Sequence, residues 1–298
     1  MKIRRLSIIG LGLIGTSIAL AARKRVSGCQ ITGYDISRQA LHQALRNQAV
    51  HRVAPDPAQC AADCELLLLA VPIRQVPGVF RKIRKTLPTG AIITDTCSTK
   101  RGVLRLARQW LPHPRRFVGS HPMFGGTSRG GNEAHWLLAQ GARCLITPAG
   151  ANPAAVQVVE DFWRQLGLVP MRTSPIDHDR LVARASHLPQ MLASVLMGLQ
   201  TERSIRLSGP GLRDTTRLAG SDPALWTEIL LDNADFAAEA LHSTTERLRQ
   251  LSHALRAGDA RTVARILRAG QRMRNRLMQP APIAVSRKSG RSRLRGLG

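Results

Sequence analysis

Short apolar runs alternate with helix-period stretches over the first 172 residues, and then the runs stop. Residues 5–9, 30–34, 50–53, 66–71, 91–95, 116–119, 142–147 and 168–172 have strand length and strand composition. Helical stretches lie between them at 16–25, 38–47, 76–87, 100–110 and 153–166, with a loop and short helix over 55–62. The 66–71 run, Leu66-Leu67-Leu68-Leu69-Ala70-Val71, is continuously apolar, as a strand covered on both faces of a parallel sheet should be. This alternation predicts an α/β fold, a doubly wound, mostly parallel sheet. From residue 175 the pattern is helical: 177–184, 188–200, 224–231, 233–258 and 259–279, with a loop at Gly209-Pro210-Gly211. We therefore expect an α/β domain over 1–174, an all-α domain over 175–280, and a tail over 281–298.

The first strand breaks into Gly10-Leu11-Gly12-Leu13-Ile14-Gly15, and a small-residue helix follows. The second strand ends on Asp35, twenty residues beyond Gly15. Strand, glycine turn, helix, strand and acid in that order form a dinucleotide-binding fingerprint. Gly10 allows the tight turn. Gly12 leaves room for a pyrophosphate against the backbone, and Gly15 lets helix and strand pack closely. The N–H groups at the helix start, around Leu13 and Ile14, face the phosphates. Asp35 is placed to accept from an adenosine ribose, which favours NAD. Arg38 nearby is able to pair with a 2′-phosphate, so NADP stays open. Ligands of such sheets gather beyond the carboxyl ends of strands, which puts Val71 and Pro72 in the cofactor cleft. The rival for this stretch is a signal peptide. Three glycines would weaken an apolar targeting helix, and Arg23-Lys24-Arg25 falls where a cleavage region should be neutral.

Composition narrows the partners. Hydrophobic residues make up 43% of 298, and no apolar run approaches the ~20 residues of a membrane span. The net charge of +25 suggests nucleic acid, but the basic residues are dispersed and aromatics reach only 3%. We read the charge as solvated faces and nucleic acid as not a partner. The run from Ser286 to Arg293 is the exception, a basic and disordered tail. Five cysteines without a CxxC pair suit reduced thiols, a cytoplasmic location and no zinc site.

A dinucleotide enzyme needs a proton acceptor. His121 ends a strand and precedes Pro122, which holds its backbone extended, and an imidazole there acts as a base near neutral pH. Ser98 and Lys100 follow Asp95 at a strand-to-helix junction, where a serine caps the helix, contacts ligand, or does both; Lys100 reads as structural. His178 and His187 are nine apart and would point to opposite sides of a continuous helix, so no metal site is expected from them. His187, before Leu188-Pro189 at a helix start, is the better site candidate. Arg217 is a fork donor for a carboxylate, with Asp214 placed to orient it. Trp226 reads as core more than pocket wall. The glycine-rich segment 125–131 reads as a mobile loop.

Together these residues resemble the prephenate/arogenate dehydrogenase family of tyrosine biosynthesis. The resemblance rests on the glycine turn, Asp95 with Ser98 and Lys100, Gly119-Ser120-His121-Pro122-Met123, His178-Asp179, Ser186-His187-Leu188-Pro189, and Arg213-Asp214-Thr215-Thr216-Arg217 with Ser221-Asp222-Pro223. It runs from Arg5 to about Gln279. It implies a Rossmann domain, a helical domain that dimerises, and an oxidative decarboxylation of a cyclohexadienyl substrate. By that resemblance His121 takes the C4 hydroxyl proton, Ser98 holds that oxygen and the nicotinamide, Arg217 binds a carboxylate and His187 lines the pocket.

Two departures from the family pattern matter. Gln190 stands where many prephenate-using members have a histidine, and Thr127 where many have a glutamate. Both lie where the family reads the substrate side chain, keto in prephenate and ammonium in arogenate. The expectation is arogenate, or both substrates. The alternatives are a β-hydroxyacid or imine dehydrogenase of similar architecture, and a basic nucleic-acid-binding protein. Many enzymes of the first kind use a lysine from the helical half, and residues 175–279 contain none.

Overall fold

The computed structural model describes residues 3–124, 131 and 133–279. Thr127, most of the glycine-rich segment and the basic tail lie outside the described residues. The chain forms two compact units, Met1–Leu241 and His242–Gly298.

The first unit holds one eight-stranded sheet. Its strands are β1 (Arg5–Ile9), β2 (Gln30–Tyr34), β3 (Arg52–Val53), β4 (Leu66–Leu69), β5 (Ile92–Asp95), β6 (Phe117–Pro122), β7 (Arg143–Thr147) and β8 (Val169–Arg172), in the order β3-β2-β1-β4-β5-β6-β7-β8. All neighbours are parallel except β6 and β7. A parallel return needs a crossover, usually a helix. The connection from β6 to β7 carries only a 3-10 turn, Trp136–Ala139, among the described residues, and the chain comes back antiparallel.

The intervening helices are α1 (Leu13–Arg25), α2 (Arg38–Arg46), α3 (Pro57–Ala61), α4 (Val76–Ile83), α5 (Arg101–Trp110) and α6 (Pro153–Gln165). They cover both faces of the sheet, and β4 shows the division residue by residue. Leu66 and Leu68 join Ile8, Ile18 and Trp163 in one core, while Leu67 and Leu69 join Phe80, Ile83 and Phe117 in the other. Side chains alternate across a strand, so a strand covered twice must be apolar throughout.

Among the described residues after Arg172 every element is helical: α7 (Pro175–Val182), α8 (Leu188–Gly198), α9 (Glu202–Arg206), α10 (Pro210–Thr216), α11 (Pro223–Asp232), α12 (Ala234–Arg256) and α13 (Ala260–Met278). Two of these were not expected. The Gly209-Pro210-Gly211 stretch is a helix start, with Gly209 the cap and Pro210 in the first turn of α10, where a missing N–H costs nothing. The first turn of α9 is closed by a reciprocal Thr201–Ser204 capping box. In the second unit a turn at Gly258 (φ +63°) joins α12 to α13, whose start is capped by Asp259, which accepts from Thr262 N at 3.0 Å. Among the described residues no helix is long and apolar enough to cross a membrane.

Candidate active site

β1 and β4 are neighbours at the point where the strand order reverses, and their carboxyl ends open one crevice. The glycine turn sits there. Gly10 has φ +100°, and a Cβ on it would lie 2.3 Å from the carbonyl oxygen of Ala70. A Cβ on Gly15 would lie 1.9 Å from the Gly10 carbonyl oxygen, whereas one on Gly12 would meet nothing within 4 Å. The turn is thus sealed on two sides and open at Gly12. Helix α1 begins at Leu13, three residues before the sequence expectation, so Gly15 lies inside it. Gly12 supplies no side-chain cap and the first turn holds no acid, which leaves its N–H groups for an anion. Val71 borders the turn, with its Cγ1 3.0 Å from a Gly10 Cβ, and Pro72 starts the 3-10 turn Ile73–Gln75.

Asp35 accepts from Leu11 N at 2.7 Å through Oδ2 and from Ser37 N at 2.8 Å through Oδ1. Its carboxylate therefore ties the glycine turn to the end of β2 and keeps a lone pair on each oxygen. Arg38 opens α2 and is exposed. The open Gly12, the free helix start and this acid fit a dinucleotide.

β6 runs further than 116–119 and carries His121 itself, opposite Leu145 of β7. The strand end is fixed from below. Asp95, fully buried, accepts from Ser120 N at 2.9 Å, from Cys97 N at 3.0 Å and from the Lys100 ammonium. Lys100 Nζ also donates to the Ser120 carbonyl at 2.7 Å. Ser120 Oγ accepts from Trp163 Nε1 at 3.0 Å and meets Thr94 Oγ1 at 2.7 Å. Every polar atom here has a partner, which a buried ion pair requires. Lys100 is structural in this sense.

His121 Nδ1 lies 3.0 Å from His178 Nε2, and His178 Nδ1 lies 2.8 Å from Asp179 Oδ1. The structure thus joins His178 to His121 and not to His187. Burial, then His178 and the Lys100 charge, push His121 well below the ordinary imidazole value. It is therefore neutral at physiological pH, as a proton acceptor must be. Burial alone would raise Asp179, but hydrogen bonds from His178 and from the Arg101 and Lys100 backbone hold it below the usual carboxylate range.

Ser98 is half-buried in the loop between β5 and α5 and makes no hydrogen bond among the described residues. It does not cap α5. That helix is capped across the chain by Asp179, which accepts from Lys100 N at 2.7 Å and Arg101 N at 3.0 Å. The Ser98 hydroxyl is left for another partner.

His187 closes a π-helical turn, Ala183–His187, that joins α7 to α8 without a break. Pro189 has no N–H to give the preceding turn, and π turns of this kind concentrate at functional sites. Asn233 Nδ2 donates to the Asp179 carbonyl at 2.8 Å and approaches His187 Nδ1 at 3.3 Å, while Arg101 donates to Asn233 Oδ1 at 3.0 Å. His187 Nε2 and Gln190 Oε1 are buried with no partner. Trp226 is half-buried and packs edge-on against the His187 ring, centroids 5.9 Å apart. Arg217 starts the 3-10 turn Arg217–Gly220, which packs on α8. It is exposed and, contrary to expectation, forms no ion pair with Asp214 among the described residues.

Sequence reasoning passed over Asn233 and Arg101, and gave His178-Asp179 no role. The one available signal was that an imidazole and a carboxylate are adjacent in the chain.

A nucleotide fold with an imidazole at the sheet's mouth has the parts a dinucleotide-dependent oxidoreductase needs, and the comparisons place the chain in that class. The chain belongs to the prephenate dehydrogenase family: it matches the family models for the prephenate dehydrogenase nucleotide-binding domain over residues 18–171 and dimerization domain over residues 174–269. It is 31% identical to cyclohexadienyl dehydrogenase of Zymomonas mobilis, over 86% of this chain and 90% of that one. It is 33% identical to prephenate dehydrogenase of Bacillus subtilis, over 76% of this chain and 64% of that one. Among solved structures it resembles Aquifex aeolicus prephenate dehydrogenase in complex with hydroxyphenyl propionate and NAD+, with TM-score 0.86, 25% identity, and coverage of 93% and 99%. Synechocystis arogenate dehydrogenase follows at TM-score 0.77 and 26% identity, covering 92% and 99%. The β-hydroxyacid and nucleic-acid readings are not favoured by these matches.

Proposed function

We propose that this chain oxidatively decarboxylates arogenate, or both arogenate and prephenate, with NAD, and that His121 is the base. The observation that carries the reading is the imidazole of His121, held by His178 at the carboxyl end of β6, in the same sheet mouth as the glycine turn. Bound NAD supplies the hydride acceptor. The chain supplies the rest. His121 takes the hydroxyl proton, which drives the alcohol carbon towards a carbonyl. Loss of carbon dioxide then makes the ring aromatic, and the reaction runs one way. Ser98, with a hydroxyl bonded to nothing else in the described chain, holds the reacting oxygen. Arg217 binds a carboxylate, and His187 lines the pocket.

The substrate preference rests on Gln190. Its Oε1 is buried and unpartnered, an acceptor that an ammonium would satisfy. Thr127 is assigned to the same side-chain reading. The cofactor preference rests on Asp35, whose charge opposes a 2′-phosphate, with Arg38 the residue through which NADP would bind. We also propose a homodimer through the helical region. Its last helices leave Leu255, Leu267 and Leu277 exposed by 61%, 62% and 74%, apolar side chains that a second copy would cover. Five buried free thiols suit the reducing cytoplasm.

The test is kcat/KM for arogenate and prephenate, each with NAD and NADP, followed at the nicotinamide absorbance. Arogenate with NAD is expected to be the fastest pair or to share first place with prephenate and NAD. A large prephenate preference would overturn the substrate assignment, and a preference for NADP the cofactor assignment.

A further inference from the structure

Two imidazoles and a carboxylate stand in line, His121 Nδ1 to His178 Nε2 at 3.0 Å and His178 Nδ1 to Asp179 Oδ1 at 2.8 Å. We infer that His178 and Asp179 are positioning residues: they fix the tautomer of His121 and hold its imidazolium once it has taken a proton. This rests on the reading of His121 as the base.

The assignment follows from donors and acceptors alone. Asp179 receives four hydrogen bonds, from Lys100 N at 2.7 Å, Arg101 N at 3.0 Å, Arg101 Nε at 3.0 Å and His178 Nδ1. An ionised carboxylate only accepts, so the His178 nitrogen that faces it carries the hydrogen. Neutral His178 then has its lone pair on Nε2. The atom opposite, His121 Nδ1, must donate. That leaves Nε2 of His121 bare, and Nε2 is the atom that accepts the substrate proton. The reverse arrangement would set the His178 Nδ1 lone pair against carboxylate oxygen at 2.8 Å. When Nε2 takes the proton, no bond in the line breaks. The Nδ1–H bond to His178 becomes charge-assisted, and Asp179 stays ionised.

Asp179 is held rigidly enough to do this. Its carboxylate caps α5, and its carbonyl accepts from Asn233 at 2.8 Å. Arg101 is fixed in turn by Asn233 Oδ1 at 3.0 Å and Asp235 Oδ2 at 2.7 Å. The other ionisable groups that face His121 are Lys100, paired with Asp95, and His187, with Cys144 behind on β7. None of them bonds a ring nitrogen of His121 among the described residues. The cap on α5 needs only the carboxylate. A second imidazole between cap and base has no part in it.

The experiment uses the full-length enzyme with saturating substrate and NAD. His178→Leu removes the acceptor for His121 Nδ1–H and is expected to lower kcat about 10²-fold or more. The KM for NAD should stay within about twofold, since the dinucleotide is held elsewhere. His178→Gln returns a carbonyl acceptor and should recover about tenfold of the loss. Nitrogen-15 spectra of the histidine-labelled wild type provide a second readout, independent of how His178→Leu folds. The His121 signals, identified by their loss in His121→Asn, should show hydrogen on Nδ1 and a bare Nε2. An Nε2–H tautomer in the wild type, or full turnover by His178→Leu, would overturn the inference. If His121→Asn is inactive while His178→Leu is fully active, the base survives and the relay does not. If His121→Asn is itself active, the underlying reading fails.

Discussion

A side-chain carbon on Gly15 would stand 1.9 Å from the carbonyl oxygen of Gly10, a backbone atom that cannot move aside cheaply. Gly12 lies between these two in sequence, yet a Cβ there meets nothing within 4 Å and its φ of −72° suits any residue. Folding and cofactor binding therefore separate at adjacent glycines. Gly15→Ala is expected to melt well below the wild type. Gly12→Ala should melt at or slightly above the wild-type temperature, because alanine restricts the unfolded chain. It should also raise the KM for NAD about tenfold or more, because the methyl occupies the path of the pyrophosphate. Melting curves and NAD titrations on the two variants check this. Equal losses of stability in both would contradict it.

Stability should fall on mild acidification. Burial holds His121, His178 and His187 below the ordinary imidazole value, and His187 drops from 6.5 to about 4. A group with a depressed folded-state pKa binds its proton first in the unfolded chain. Stability is therefore complete above the unfolded-state value near 6.5 and declines as pH falls towards 4. For His187 alone the loss over that window is on the order of 3 kcal/mol. Melting temperatures from pH 8 to pH 4 should be level and then drop, and His187→Gln should drop less steeply. A melting temperature that rises between pH 6.5 and 4.5 would contradict this.

What the sequence made legible was local. Gly10, Gly12, Gly15 and Asp35 announce themselves because a turn and a strand end lie within one βαβ unit. The run of four leucines in β4 reads directly as a strand covered twice. The end of β6 was harder. A strand through Pro122 is unusual, and it exists because β7 returns antiparallel beside it. The cap on α5 was invisible, since Asp179 reaches Lys100 from 79 positions away. Asn233 reaches Asp179 from 54 positions away. The sequence paired Arg217 with Asp214 by proximity, but the two form no ion pair among the described residues. It also weighed His178 against His187 as possible metal ligands, when the contact that matters runs from His178 to a strand 57 residues earlier. Spacing reports neighbours on one element. The carboxylate and the two imidazoles meet only because α7 packs its His178-Asp179 pair against the end of β6.

The central claim is that His121 removes the substrate hydroxyl proton, and replacing its acceptor nitrogen tests it most directly. His121→Asn keeps a polar side chain of similar reach at Nδ1 and lacks the basic nitrogen. Its kcat, measured at saturating arogenate and NAD, should fall by roughly 10²–10⁴ while the affinity for NAD stays at the wild-type value. Turnover near the wild-type rate would contradict the account.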